Sequence, residues 1–213
     1  MIEILLNQQY LLFAIIAFAL IFSLTFHEFG HGFVAFLNGD NTAKNAGRLT
    51  LNPIPHIDPV GLLMVLLIGI GYARPVPTDP RNYRNRWGTL LVAAAGPAMN
   101  LLLAVITINL YIFGLKSGWE LFSGQAAYFF FTYLASINML LMLFNLIPIG
   151  PLDGHYILPY ALPKKWAIRY LQLNHRYGTY ALLALVGLHF VGVPVFQTIM
   201  ALGNSTLSMV SFM

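Results

Sequence analysis

Long apolar runs dominate this sequence and limit what it can fold into. The first run begins at Tyr10 and contains no charged residue before Glu28. Hydrophobic residues make up 58% of the 213 residues and charged residues only 8%, whereas soluble domains carry about 25% charged residues. Since a spanning helix needs about 20 residues, the chain has room for about five or six hydrophobic segments. We expect an all-α polytopic membrane protein that forms one integral-membrane domain over residues 1–213.

One apolar segment is too short to cross a bilayer. The segments are expected at about 10–37, 60–73, 88–115, 126–147 and 177–191, with a further apolar stretch after Pro194. As a helix, 60–73 would be about 21 Å long, against a hydrocarbon core about 30 Å thick. This segment is therefore predicted to be re-entrant or interfacial, although its length alone does not exclude a span.

Basic residues are distributed unevenly between the loops. Six lie within 40–87, four lie within 164–176, and only Lys116 lies between the third and fourth segments. If 60–73 does not cross, the first ten share one side, which the positive-inside rule makes cytoplasmic. If it did cross, most of this asymmetry would vanish, so the charges also favour re-entry. The same rule accounts for the net charge of +4, and no nucleic-acid partner is expected.

The stretch SLTFHEFGHGFVAF places three ionisable residues inside the first apolar segment. His27, Glu28 and His31 form H-E-x-x-H, and on a helix positions i and i+4 lie one turn apart on the same face. Two such imidazoles can bind one metal ion while the glutamate acts as general base. Charged groups within a membrane helix cost about 2.5–3.5 kcal/mol each on insertion scales, so a cluster without function would be expensive. About 24 Å along the helix, His27 is expected near the cytoplasmic face.

A catalytic zinc ion needs a third protein ligand, and the chain has no cysteine to supply one. The predicted topology leaves two candidate carboxylates near the depth of His31. Asp58 precedes the short segment, and Asp153 follows the fourth segment in NLIPIGPLDGH. Proline and glycine residues around Asp153 would break the helix and turn its carboxylate inward. Asp153 is favoured, while a solvated turn aspartate is the alternative.

Three separated motifs together resemble the site-2 protease family of intramembrane zinc metalloproteases. HEFGH, NPIPHIDPVG and NLIPIGPLDGH occur in the family's order and spacing, and the chain is most similar to compact bacterial members without PDZ or CBS domains. The resemblance implies one Zn²⁺ ion per chain bound by His27, His31 and Asp153, with Glu28 as catalytic base. It implies that Asn145 holds the substrate near the zinc.

The resemblance also implies a setting and a kind of partner. The setting would be the bacterial cell membrane, with the active site near its cytoplasmic face. The substrate would be a membrane-spanning segment of another protein, presented in extended form by the re-entrant segment. The oligomeric state is not predicted.

Four other residues have competing interpretations. His56 and Asp58 could support the zinc ligands, or they could belong to a proline-stiffened loop in which Asp58 caps a helix starting at Pro59. Asn100, in GPAMN, is interpreted as a helix-packing amide. His155 stands where many family members have a glycine, and it could crowd the site or bind metal.

Two functions other than proteolysis could also explain ionisable residues within the membrane. A metal-ion transporter should carry polar sites staggered across the membrane, whereas this sequence shows one cluster at one depth. A non-catalytic relative that only binds membrane segments would be expected to lose Glu28 or a ligand, yet all four positions are present.

Overall fold

The computed structural model describes residues 1–68 and 71–211, and over these residues it contains helices and turns but no strand. The α-helices, numbered in chain order, are α1 Ile2–Leu6, α2 Tyr10–Leu37, α3 Thr42–Asn45, α4 Pro59–Ile68, α5 Gly88–Lys116, α6 Glu120–Ser123, α7 Gln125–Asn145, α8 Gly154–Ile157, α9 Lys164–Phe190 and α10 Val195–Val210. Short 3-10 turns lie at Ile54–His56, Pro80–Asn82 and Leu158–Ala161. The prediction of an all-helical membrane protein is confirmed.

Three of the described helices are long and apolar enough to cross a membrane: α2, α5 and α7. Helices α9 and α10 together are long and apolar enough for a fourth segment in the membrane. Because they meet at an angle of 91°, this pair would be a broken span or a re-entrant loop. The expected segments 10–37 and 88–115 agree with α2 and α5 to within one residue. The segment expected at 177–191 is only the second half of a longer helix, since α9 already begins at Lys164 after Pro163. The basic residues assigned to a loop therefore lie on the first half of α9.

Small residues bring the three spanning helices close together. Gly30 of α2 lies against α5, where an added Cβ would meet the backbone oxygen of Ala95 at 2.9 Å. Ala104 of α5 and Ala135 of α7 are fully buried in one apolar cluster. Such close backbone approach is how membrane helices gain packing contacts in the absence of a hydrophobic driving force. The packing fixes α2, which carries the H-E-x-x-H motif, against α5.

The short segment between α2 and α5 returns to the level at which it starts. Helix α4 begins after Asp58, whose Oδ1 accepts the backbone N–H groups of Val60 and Gly61 at 2.9 Å. After α4 the chain comes back, and the Arg74 N–H donates to the His56 carbonyl at 2.8 Å. The two ends of 60–73 therefore meet, as the prediction of a re-entrant segment requires.

Candidate metal centre

The two histidines of H-E-x-x-H project from one face of α2 into the protein. His27 is 5% exposed, His31 is 8% exposed, and their Nε2 atoms lie 3.1 Å apart. This face of α2 packs against α5, so an otherwise apolar spanning helix brings two imidazole nitrogens together away from lipid.

Asp153 completes a group of three, because the chain after α7 folds back towards α2. Its Oδ2 lies 3.2 Å from His27 Nε2, and its Oδ1 lies 3.3 Å from His31 Nε2. Gly154 permits this return, since an added Cβ would collide with the Leu146 carbonyl oxygen. Among the described residues these three form the one His, Cys, Asp or Glu group with ligand atoms close enough for a metal ion.

Hydrogen bonds on the far side of each ring set which nitrogen faces the centre. His27 Nδ1 donates to Asn100 Oδ1 at 2.6 Å, and His31 Nδ1 donates to the Val92 carbonyl at 2.6 Å. In a neutral imidazole the proton then sits on Nδ1, so that both Nε2 atoms present lone pairs. Metal-bound histidines almost always donate their second nitrogen in this way.

The geometry of the three side chains fits a tetrahedral zinc ion. Two Nε2 lone pairs and a carboxylate that face one another at 3.1–3.3 Å repel each other without a cation between them. Zinc bonds of about 2.0–2.1 Å place tetrahedral ligand atoms about 3.3–3.4 Å apart. The Asp153 Oδ2 atom is also buried without a hydrogen-bond partner, as an atom reserved for a metal would be.

Gly96 of α5 keeps the space beside the ligand atoms open. An added Cβ there would collide with His31 Nε2 and would lie 2.6 Å from His27 Nε2. No side chain can therefore occupy this position without entering the centre.

Glu28 is held by the chain that returns from the re-entrant segment. Its Oε2 accepts the backbone N–H of Val76 at 2.7 Å, and Glu28 is 9% exposed. The same stretch is anchored by Arg48, whose Nη2 donates to the Arg74 carbonyl at 2.6 Å. The base candidate Glu28 thus directly follows the ligand candidate His27 on α2, with the returning chain beside it.

The other candidates named from the sequence lie in different surroundings. Asn145 is at the end of α7, where its Nδ2 donates to the Leu141 carbonyl at 3.0 Å, and its substrate-binding role stays a prediction. Asp58 caps α4. His56 is buried, with Nε2 2.9 Å from the Thr50 carbonyl oxygen, so it supports the loop rather than the centre.

His155 lies beside α9 rather than in the metal-ligand group. Its Nδ1 is 2.6 Å from Asn174 Nδ2, and Asn174 Oδ1 accepts the Gly150 N–H at 3.0 Å. His155 and Asn174 together hold the loop that carries Asp153.

The sequence alone did not predict the contact of Asn100 with the metal centre. Asn100 packs helices together, as expected, but it also accepts the hydrogen bond from His27, and it is joined to Ser23 and Asn138. An amide within an apolar helix was the available signal, and its partner could not be known before α2 and α5 were seen side by side.

Comparison with known proteins supports the assignment of a metal centre. The model of Peptidase family M50 matches residues 15–192. A protein named "Putative zinc metalloprotease YwhC" from Bacillus subtilis is 43% identical over 147 residues, covering 68% of this chain and 67% of YwhC.

Two mycobacterial relatives carry the name "Putative zinc metalloprotease Rip2". The one from Mycolicibacterium smegmatis is 35% identical over 147 residues, covering 62% of this chain and 51% of that protein. The one from Mycobacterium tuberculosis is 31% identical over 151 residues, covering 67% and 55%. This chain thus spans about half the length of the Rip2 proteins. No solved structure matches it. Because the family model covers most of the chain, including every motif of the centre, this chain belongs to peptidase family M50, the site-2 protease family.

Proposed function

We propose that this protein is an intramembrane zinc endopeptidase that hydrolyses peptide bonds within or near transmembrane segments of other membrane proteins. The observation that carries the proposal is that Asp153 meets His27 and His31, which are buried on an apolar spanning helix. Glu28 follows His27 on the same helix. Membership of family M50 and the names of the relatives support the same chemistry.

His27, His31 and Asp153 would hold one zinc ion per chain and leave a fourth position open, as catalytic zinc sites do. Bound there, zinc would polarise the scissile carbonyl and lower the pKa of the attacking water. The chain's own part is to keep both Nε2 lone pairs in place, which the hydrogen bonds of the two Nδ1 atoms achieve.

Glu28 would act as general base. Its Oε2 is engaged by the Val76 N–H, which orients the carboxylate so that Oε1 can take the proton from the attacking water. Glu28 would then return that proton to the leaving amine, so that one carboxylate serves both half-reactions.

The substrate would enter as a locally unwound membrane helix, because a helix keeps its backbone carbonyls in internal hydrogen bonds. Residues 71–79 run past Glu28 without regular secondary structure, and we propose that the substrate backbone lies alongside them in extended form. Asn145 would help to hold that backbone through its side-chain oxygen, since its Nδ2 is used within α7.

We place the enzyme in a bacterial cell membrane as one domain over residues 1–213, with its site near the cytoplasmic face. The basic residues of the loop between α2 and α5 and of the first half of α9 support this orientation through the positive-inside rule.

The test compares the wild type with Glu28→Gln, which keeps the shape of the side chain and the contact to Val76 but removes the base. Both proteins are purified in detergent, assayed for bound zinc, and incubated with a panel of single-span membrane proteins. We expect one zinc ion per chain in both, and cleavage only by the wild type.

Each other outcome has a definite meaning. A folded wild type that binds no zinc from a zinc-containing buffer would refute the metalloprotease. Zinc binding without cleavage of any substrate would favour a relative that only binds membrane segments. Zinc passage across proteoliposomes, unchanged by Glu28→Gln, would favour a transporter.

A further inference from the structure

A buried chain of hydrogen bonds links the metal centre to all three spanning helices. His27 Nδ1 contacts Asn100 Oδ1, and Asn100 Nδ2 donates to Asn138 Oδ1 at 2.8 Å and to the Ser23 carbonyl at 3.2 Å. Asn138 Nδ2 in turn donates to Ser23 Oγ at 2.9 Å. Ser23, Asn100 and Asn138 are each 0% exposed. We call these three residues the amide relay.

Backbone carbonyls fix the direction of every hydrogen bond in the amide relay. The Ser23 hydroxyl donates to the Ala19 carbonyl at 2.6 Å, so its oxygen can only accept from Asn138. Asn138 Nδ2 also donates to the Leu134 carbonyl at 2.8 Å, and a carbonyl cannot donate in return. The reversed orientation of Asn138 would set its oxygen against an acceptor. Its Oδ1 must therefore face Asn100.

The same reasoning fixes Asn100. Its Nδ2 faces two acceptors, the Ser23 carbonyl and Asn138 Oδ1, so its Oδ1 is left for His27. An acceptor at this place requires that His27 carry its proton on Nδ1. The Nε2 lone pair then has to face Asp153 and the metal position.

We propose that Asn100, Asn138 and Ser23 are positioning residues that lock His27 in the Nδ1-protonated tautomer and so prepare its Nε2 for zinc. This inference rests on the proposed function, in which His27 is a zinc ligand. It extends the site to Asn138, whose described hydrogen bonds reach Asn100, Ser23 and the Leu134 carbonyl but no ligand. His31 has a simpler device, because a backbone carbonyl accepts from its Nδ1 directly.

A purely structural role is the competing explanation, since amides also join membrane helices. Asn109 supplies the matched control, because it lies on α5 like Asn100 and its Nδ2 donates to the Val105 carbonyl and, across to α10, to the Val210 carbonyl. Asn109→Leu removes an interhelical amide without touching the amide relay.

The first measurement is the tautomer of His27 in zinc-free, ¹⁵N-histidine-labelled protein, at a pH where the imidazoles are neutral. Its resonances are assigned by their absence in His27→Asn. We expect the Nδ1-protonated form in the wild type, in Asn109→Leu and in Asn100→Asp, which keeps an acceptor facing His27. We expect that form to lose its dominance in Asn100→Leu. A dominant Nδ1-protonated form in Asn100→Leu would overturn the proposal.

The second measurement is zinc affinity, determined by competition with a chelator. Loss of such supporting groups typically weakens metal binding about 10- to 100-fold, and we expect this for Asn100→Leu. Asn138→Leu should weaken binding about threefold or more, whereas Asn109→Leu should leave it unchanged. Asn100→Asp should stay within about tenfold of the wild type even where its thermal stability falls.

The outcomes separate this proposal from the proposed function. Equal zinc affinities for Asn138→Leu and Asn109→Leu would overturn the amide relay and leave the protease intact. A wild type that binds no zinc would refute the protease, while the tautomer spectra would still test the relay because they require neither metal nor activity.

Discussion

The metal centre and the re-entrant segment both lie beside α2, but the first is held by side chains and the second mainly by backbone groups. The centre is held by buried side chains from three spanning helices, through His27, His31 and the amide relay. The re-entrant segment is held mainly through the backbone of the stretch that follows it, residues 74–79. There the Val76 N–H donates to Glu28, the Arg74 carbonyl accepts from Arg48, and the Arg74 N–H donates to the His56 carbonyl. The metal centre is thus part of the packed helix bundle, whereas the re-entrant segment contacts the bundle through a few hydrogen bonds.

The exposure of side chains differs in the same direction. His27, His31 and the amide relay are buried, and the Asp153 side chain is 16% exposed. In contrast, Val60, Leu63, Leu67 and Tyr72 of the re-entrant segment are each about half exposed. A zinc site tolerates little displacement of its ligands, while a protease must also let a substrate approach. The comparison teaches that the two demands are met by separate pieces of chain, and that changes in one should leave the other unaffected.

Asp153→Asn is expected to give the largest difference between the two regions, because it should affect the metal centre and not the re-entrant segment. The amide keeps the size of the side chain but lacks the negative charge that would pair with a metal cation. Since supporting groups alone are worth 10- to 100-fold in metal affinity, loss of a ligand should weaken zinc binding by more than about 100-fold and abolish cleavage. Zinc competition and substrate cleavage are the measurements.

The matched control is Asp79→Asn, which changes an aspartate of the loop that follows the re-entrant segment and pairs with Arg81. It should bind zinc like the wild type. Hydrogen exchange at the Val76 amide should be the same in Asp153→Asn and in the wild type. Faster exchange there would contradict the independence of the two regions.

Gly96→Ala tests the space beside the ligands without altering a ligand. An alanine Cβ would collide with His31 Nε2 and approach His27 Nε2, so zinc binding should fall by about tenfold or more, as for other displacements of ligands. Alanine is favoured over glycine within a helix by about 0.5–1 kcal/mol, so α5 itself should remain formed. Zinc competition is measured together with helix content by circular dichroism.

Gly187→Ala on α9 is the control, because an added Cβ there meets nothing within 4 Å. It should bind zinc normally. If Gly96→Ala also bound zinc normally, the centre would have to be less rigid than the comparison holds.

Arg48→Met tests the re-entrant segment by removing the hydrogen bond from Arg48 to the Arg74 carbonyl. A hydrogen bond from a charged donor is worth about 1.5 kcal/mol at the lower end, so kcat/KM for a membrane substrate should fall about tenfold. Zinc affinity should not change, because Arg48 acts on the Arg74 carbonyl and not on the ligands. Arg48 Nε is also buried without a hydrogen-bond partner, so methionine removes an uncompensated polar atom and should cost little stability.

Arg81→Met provides the comparison, since Arg81 is exposed and pairs with Asp79. Its kcat/KM should match the wild type. A loss of zinc in Arg48→Met would show that the re-entrant segment supports the metal centre after all.

Much of this architecture could be predicted from the sequence, and the contacts that could not be predicted had a common cause. The periodic pair His27 and His31 predicted one ligand face, because helix geometry alone decides it. Asp153 was favoured from topology and helix-breaking neighbours. Contacts between segments far apart in the chain could not be foreseen: Asn100 reaches His27 across 73 residues, and Arg48 reaches Arg74 across 26. Such pairings depend on how helices are rotated and how loops return, which local pattern does not determine.

The prediction of helix ends from the sequence was limited for a different reason. Apolar content alone does not predict the start of α9 at Lys164, because the first half of that helix is basic. Asp58 shows the opposite case. Its position before Pro59 suggested a helix cap from local chemistry alone, and the structure has that cap.

Asp40 is expected to affect stability rather than zinc binding, because it joins the end of α2 to the loop that follows the re-entrant segment. Asp40 accepts from Thr42, from the Asp79 N–H at 2.7 Å and from Asn82 Nδ2 at 3.0 Å. Burial by itself would raise the pKa of Asp40, but these hydrogen bonds outweigh it and lower the pKa below its ordinary value of 3.8. Folded Asp40 therefore binds protons less readily than unfolded Asp40. Its contribution to stability is complete above about pH 4 and is lost as the pH falls through the folded pKa.

Thermal unfolding in detergent between pH 2.5 and pH 6, compared with Asp40→Asn, measures this contribution. The variant turns an amide donor towards one of these donors, so it should be less stable at pH 6 by about 1–3 kcal/mol. The difference should shrink as the pH falls below about 4. Zinc affinity near neutral pH should be the same in both proteins, because Asp40 fastens the loop and not the centre. A stability difference that stayed constant down to pH 2.5 would mean that the Asp40 charge plays no part in holding the loop, and that its hydrogen bonds serve equally well with a neutral acceptor.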